Sequence, residues 1–269
     1  MNWRFINTAF NTGSYNMAVD ESILYHVGCK KSSPTVRFYG WSPACISLGY
    51  FQNIDKSLDV SKCKSMGFGI VRRITGGRTI LHDKELTYSL CIPENYPHMP
   101  QSVSESYRLL SGGLLEGYKS LGIKADLAPL QKQKASFATS ACFDSPSSYE
   151  LTVCGKKVAG SAQTRKHGAL LQHGSIPNII EPEKLFACLL YKNESDKLKA
   201  INDFSNKAGS ICEFRGSPAD WDELINAFYK GFEKGLGINL KDSSLSKEEC
   251  DYAIELEKKY SSDEWTYKR

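Results

Sequence analysis

The sequence predicts an α+β fold in which mixed and antiparallel β-sheets pack with helices, and three observations predict it. Short runs rich in β-branched and aromatic residues crowd the first third of the chain, further strand-like runs fill 149–176, and from Pro182 onward apolar residues recur at helical spacing. Strands gathered together, with helices around and after them, argue against the regular alternation of a doubly wound parallel sheet.

A short first strand leads into a helix over 16–27, NMAVDESILYHV, whose Met17, Ile23, Leu24 and Val27 share a face behind an Asn16 cap. TVRFYGW (35–41), ACISLGYF (44–51), GIVRRIT (69–75) and ELTYSLCIP (85–93) are bounded by Pro, Gly or Asn and read as strands, with a helix at about 55–66 among them. A longer helix is predicted over 103–121. Leu109, Leu110, Leu114 and Leu115 form its stripe, and Gly112–Gly113 weakens it by about 1 kcal/mol per glycine relative to alanine. YELTV, KVAGSAQTR and ALLQHGSI then read as a meander with turns at 154–156 and 166–168. Helices are predicted at about 183–191, 219–235 and 245–259, with polar SNKAGS between. At 269 residues and 41% hydrophobic content, residues 1–269 read as one domain with a helical C-terminal part from about 181.

Composition narrows the function. The net charge is +4, with Lys and Arg scattered rather than clustered, which disfavours nucleic acid as a partner. No stretch approaches the roughly 20 apolar residues that span a bilayer, and MNWRFINTAF lacks a signal-peptide core, so no membrane partner and a soluble, cytoplasmic protein are expected. Nine cysteines without a CxxC pair suggest reduced thiols rather than disulfides or a zinc knuckle, and no metal ligands are called for.

Three segments hold candidate chemistry. Arg72-Arg73-Ile74-Thr75-Gly76-Gly77-Arg78, followed by His82, puts adjacent glycines between cations at a strand end. Either it is a hairpin turn with solvated arginines or a place where backbone approaches a ligand closely, and His82 can donate, accept or exchange protons there. Ser140-Ala141-Cys142-Phe143-Asp144-Ser145-Pro146-Ser147-Ser148-Tyr149-Glu150 sets a cysteine in a small-residue, Pro-containing stretch with no periodic reason to be buried. In Gly155-Lys156-Lys157-Val158-Ala159-Gly160-Ser161-Ala162-Gln163, strand alternation places Lys157, Ala159, Ser161 and Gln163 on one face and Val158, Gly160, Ala162 and Thr164 on the other; a surface hairpin with solubilising lysines is the plainer alternative.

Together with Asn16-Met17-Ala18-Val19-Asp20-Glu21, Ser47-Leu48-Gly49-Tyr50-Phe51-Gln52, RRITGGRTILHDKELTYS and LQHGSI, these segments resemble the lipoate-protein ligase and octanoyltransferase family, related in fold to the biotin protein ligase catalytic domain. The resemblance implies that Arg72, Arg73, Gly76, Gly77 and His82 line an acyl pocket with Gly160, Ser161 and Ala162, and that Lys157 reaches the reacting carbonyl. SACFDSPSSYEL replaces the GRNDL-like stretch of ATP-dependent ligases and is similar to the LipM-type branch, which implies Cys142 as an acyl-carrying nucleophile, with Cys142 and Lys157 as the catalytic pair and no cofactor. It further implies octanoyl-acyl carrier protein as donor and the glycine cleavage H protein or lipoyl domains of 2-oxoacid dehydrogenases as acceptor. An octanoyl amidotransferase acting between lipoyl proteins, an ATP-dependent lipoate ligase and a non-catalytic lipoyl-domain binder are the rival readings. Val71, Ile74 and Leu81 are expected along the acyl tunnel.

Overall fold

A computed structural model describes residues 2–129 and 149–268. Strand β1 (Asn2–Asn11) runs into helix α1 (Gly13–Gly28), which starts earlier than its apolar pattern suggests because the Thr12 hydroxyl caps it. Asn16 is therefore not the cap. It lies buried inside the helix, where its amide donates to the Gly40 carbonyl and accepts from Arg37.

Strands β2 (Thr35–Trp41) and β3 (Cys45–Leu48) follow. The helix expected near 55–66 resolves into a single turn at 54–56 and α2 (Val60–Ser65). Next come β4 (Gly69–Arg72), an unpredicted β5 (Ile80–His82), β6 (Glu85–Pro93) and α3 (Val103–Ser120), capped by Ser102. Strands β7 (Asp126–Pro129), β8 (Tyr149–Val153), β9 (Lys156–Lys157), β10 (Gly160–Lys166) and β11 (Ala169–Pro177) lead to α4 (Pro182–Phe186). Helices α5 (Glu194–Lys207) and α6 (Ile211–Arg215) fill what reads as a polar interval. The chain closes with α7 (Trp221–Leu236), β12 (Asn239–Asp242), α8 (Lys247–Tyr260) and α9 (Asp263–Thr266).

A six-stranded mixed sheet, β10-β11-β6-β2-β1-β12, forms the backbone of the fold, with β1 parallel to its two neighbours and the remaining pairs antiparallel. Helices α3 and α7 cover one face, and α1 with α8 the other. Two three-stranded sheets, β4-β3-β5 and β7-β8-β9, complete it. The expected meander over 149–176 is therefore divided: β8 pairs with β7 and β9 with β8, while β10 and β11 join the main sheet. The break falls at Val158–Ala159, which sink into the main hydrophobic cluster.

The glycines that weaken α3 as an isolated helix are what let it pack. Gly112, Gly113 and Gly117 meet Gly231 and Gly235 of α7 backbone to backbone, with Phe228 and Phe232 laid over Gly117 and Gly113. A Cβ on Gly231 would stand 2.5 Å from the Gly117 nitrogen, and rigid backbone cannot yield. Gly231→Ala is accordingly expected to destabilise by about 3 kcal/mol, read from urea denaturation.

Glu21 ties α1 to both edges of its layer, accepting from Lys166 (2.8 Å), Lys259 (2.5 Å) and the Tyr260 hydroxyl (2.6 Å). Burial favours its neutral form, but those three donors outweigh burial and hold its carboxyl at about 2 against an ordinary 4.5. A carboxyl depressed on folding contributes stability above its unfolded value and loses it as pH falls through the folded one. About 3 kcal/mol should vanish between roughly pH 4.5 and 2, and Glu21→Gln should flatten that part of the stability-versus-pH curve measured by chemical denaturation.

Candidate active site

The site is built from the two-residue period of the main sheet. Along β6, Leu86, Tyr88, Leu90 and Ile92 enter the core beneath α3 and α7, so Glu85, Thr87, Ser89 and Cys91 face the other way. Register places Arg37, Tyr39 and Trp41 of β2 and His173 and Ser175 of β11 on that same side. The small β4-β3-β5 sheet closes over it, bringing Ser47, Arg73 and His82 to the common space.

A pocket of about 440 Å³ results. Met17, Trp41 and Ile80 supply apolar wall; Arg73, Gly77, His82, Gly160, Ser161 and Ala162 also line it. Val71 and Ile74, expected along an acyl tunnel, instead pack into the clusters around α1, and Leu81 lines a neighbouring cavity. The apolar wall comes from α1, β2 and β5, and of its three residues only Trp41 lies outside the segments quoted for the family resemblance.

His82 is held on three sides. Trp41 stacks on it with ring centroids 4.0 Å apart. Arg73 Nη1 donates to Ser47 Oγ at 2.9 Å, which leaves that hydroxyl to donate to His82 Nε2 at 2.8 Å. His82 Nδ1–H then points at Glu85 Oε1, 2.7 Å away. The hydrogen-bond pattern thus selects one tautomer, with Nε2 as the acceptor. Glu85 also accepts from the Thr87 and Ser175 hydroxyls, and the Trp41 indole donates to Thr87.

Arg73 shapes the glycine turn. Its guanidinium donates to the carbonyls of Ser47, Gly76 and Arg78. Gly77 has φ +97°, the left-handed region that favours glycine, and a Cβ there would stand 2.8 Å from Arg73 Nη2. Gly76 lies on the outer side of the turn, where a Cβ would meet only the Phe51 ring at 4.0 Å. Arg72 does not line the pocket. Fully buried, it donates to the carbonyls of Gly49, Tyr50, Gln52 and Thr266, pinning the loop after β3 and helix α9 to β4.

Lys157 approaches from the third sheet, three residues before the Gly160 wall. Buried, its ammonium lies 3.0 Å from Glu150 of β8. Between it and Ser161 stands the Tyr107 phenol of α3, whose proton affinity burial raises while the Lys157 ammonium opposes the shift. The break in the strand puts Lys157 and Ser161 in two different sheets rather than on one strand face, and Lys157 is not among the residues that line the pocket. Cys142 lies outside the described residues.

Beneath the pocket is a charged network that sequence reading did not single out. Asp20 of α1 accepts from Arg37 (2.6 Å), Tyr39 (2.8 Å), Ser89 (2.8 Å) and His173 Nδ1 (3.1 Å). Burial penalises its charge, but Arg37 and the His173 hydrogen bond outweigh burial and keep the carboxyl below its ordinary value. Burial likewise lowers His173 against the pull of Asp20, so its ring stands neutral with Nε2 accepting from Thr75, 2.7 Å away. Thr75 begins the glycine turn, so the network sets one pocket wall. The available signal was the alternation of polar residues in TVRFYGW and ELTYSLCIP, where a half-buried strand would place hydrophobes.

The described residues contain no helix long and apolar enough to cross a membrane. Octanoyltransferase LipM of Staphylococcus aureus is 48% identical over 272 residues, covering 99% of each chain, and octanoyltransferase LipM of Bacillus subtilis is 48% identical over 273 residues, covering 99% of this chain and 98% of its own. Among solved structures, the bi-partite lipoate protein ligase of Thermoplasma acidophilum superposes with a TM-score of 0.81 at 23% identity, covering 99% of this chain and 96% of that one. A lipoate-protein ligase A bound with ATP gives 0.79 at 23%, covering 99% of each, and both likenesses establish the α+β fold. Residues 12–233 match the family described as the lipoyl protein ligase A/B catalytic domain, and the chain belongs to that family.

Proposed function

We propose that this protein is an octanoyltransferase of lipoate biosynthesis, taking an octanoyl group from octanoyl-acyl carrier protein onto Cys142 and delivering it to a lysine of the glycine cleavage H protein or of a 2-oxoacid dehydrogenase lipoyl domain. It is an acyltransferase, as are relatives 48% identical along almost its entire length. The observation that carries the reading is a pocket with an apolar wall of Met17, Trp41 and Ile80 beside the polar groups Arg73, His82 and Ser161. A short acyl chain fits the first and its carbonyl the second.

Exchange of one thioester for another is nearly isoenergetic and amide formation runs downhill, so the sequence of steps needs no adenylate. Cys142 attacks as the thiolate, since the free thiol ordinarily ionises only near pH 8.5. Lys157, ahead of the Gly160–Ala162 wall, donates from its ammonium to the carbonyl oxygen as negative charge develops there. Arg73 and Gly77 fix the turn that bounds the chain, with Arg72 and Gly76 supporting that turn from behind.

Incubation with octanoyl-carrier protein in the absence of ATP, followed by intact-mass analysis, tests this. An octanoyl adduct on the enzyme that hydroxylamine removes, followed by octanoylated H protein, is expected. Adducts that appear only with free octanoate and ATP would transfer the protein to the ligase reading.

A further inference from the structure

A second pocket, of about 570 Å³, lies on the other side of the strand that carries His82. The two share Ile80 and Ser175 in their linings, so they adjoin there. Ser175 pairs in register with Gly160, which places this junction beside the Gly160–Ala162 wall of the first pocket. Leu81, Ile180 and Phe204 make the second pocket's walls apolar enough for an alkyl stem.

Its charges are uneven. Lys184 bridges Asp83 (2.9 Å) and Glu181 (2.8 Å), and Lys84 bridges Glu181 (2.9 Å). These four cancel. Glu85 is the remaining charged group of the lining, and its other neighbours are the hydroxyls of Thr87 and Ser175 and the ring of His82. Glu85 therefore lines the second pocket while its hydrogen bond to His82 reaches a residue that lines the first. An occupant with an alkyl stem and a positive end matches this lining; a phosphate-bearing arm does not.

We infer that the second pocket receives the acceptor lysine, and that the Glu85–His82 pair takes the proton this lysine must lose. The inference rests on the acyl-enzyme reading above. An ammonium with an ordinary pKa near 10.4 sheds one proton to the pair, which holds it between the carboxylate and the ring. The freed nitrogen lone pair attacks the thioester carbonyl, the C–N bond forms, the C–S bond breaks, and the second nitrogen proton leaves with the departing sulfur as its thiol.

The test separates the half-reactions. Ile180→Trp fills the second pocket from its partly exposed rim. Acyl-enzyme should form from octanoyl-carrier protein at the wild-type rate, while the KM for apo-H protein, measured in transfer from preformed acyl-enzyme, rises about tenfold. Slower acyl-enzyme formation with normal transfer would assign the pocket to the donor's arm; both steps unchanged, or both slowed equally, would also overturn the proposal. In Glu85→Gln, transfer from preformed acyl-enzyme should fall at least about tenfold at pH 7 and recover as pH rises and the acceptor lysine ionises in solution. A flat deficit across pH would mark Glu85 as structural only and sink the proton role. Failure of the wild type to form any acyl-enzyme would instead refute the underlying transferase mechanism, so the two failures are distinguishable.

Discussion

Cys142→Ala is expected to reduce octanoyl transfer to H protein to below about one-thousandth of the wild-type rate, because it deletes the atom that carries the acyl group between the two half-reactions. A direct attack of the acceptor lysine on the carrier thioester would instead require both proteins at the pocket simultaneously. The thermal midpoint should stay near wild type, and the hydroxylamine-sensitive mass adduct should vanish together with turnover. Turnover retained in a folded Cys142→Ala variant would eliminate the covalent route and return the thiol to an ordinary small side chain. Cys142→Ser is the finer probe. A hydroxyl retains the geometry but ionises far less readily, so its rate should also collapse, and any adduct it forms should resist hydroxylamine longer as an ester.

Lys157→Ala should lower the single-turnover rate of acyl-enzyme formation by about 10²–10³-fold, the range found when one donor to a developing oxyanion is removed. The binding constant for octanoyl-carrier protein should change much less, since the donor matters most once charge reaches the carbonyl oxygen. Substitution also deprives Glu150 of the ammonium 3.0 Å away. A Glu150→Gln variant provides the control: an electrostatic role for Lys157 itself predicts that Glu150→Gln retains most activity, whereas a loss equal to that of Lys157→Ala would show that the ion pair as a unit is what the reaction needs. Arginine at 157 keeps the charge but spreads it over a planar group too large for a buried position beside Val158 and Tyr107, so only partial rescue is expected.

The residues called for the site from sequence divide along a physical line. Arg73, Gly77, His82, Gly160, Ser161 and Ala162 come together at one pocket, because each motif is a strand end or turn whose short-range geometry already aims it. Arg72 stands next to Arg73 in sequence yet faces the opposite way, since consecutive residues of an extended segment alternate sides. Which of two adjacent arginines meets the ligand therefore depended on which face of β4 the rest of the protein covers.

What the amino-acid sequence determined by itself is local. β2 and β6 begin and end where their β-branched and aromatic runs do, and the Ser102 cap and leucine spacing mark α3, because such signals act over a few residues. Helix α5 escaped notice because ESDKLKAINDFSNK buries little besides Ala200 and Phe204, so its apolar pattern is faint. Only tertiary structure could decide the rest. The meander parts into two sheets at Val158–Ala159, the glycines of α3 become contacts once α7 is laid against them, and Asp20 meets His173 across 153 residues of chain. The acyl pocket and its charged floor belong to that second group: they exist where distant strands are brought into register, and a buried carboxylate or imidazole acquires its tautomer and its charge from partners that proximity in sequence does not supply.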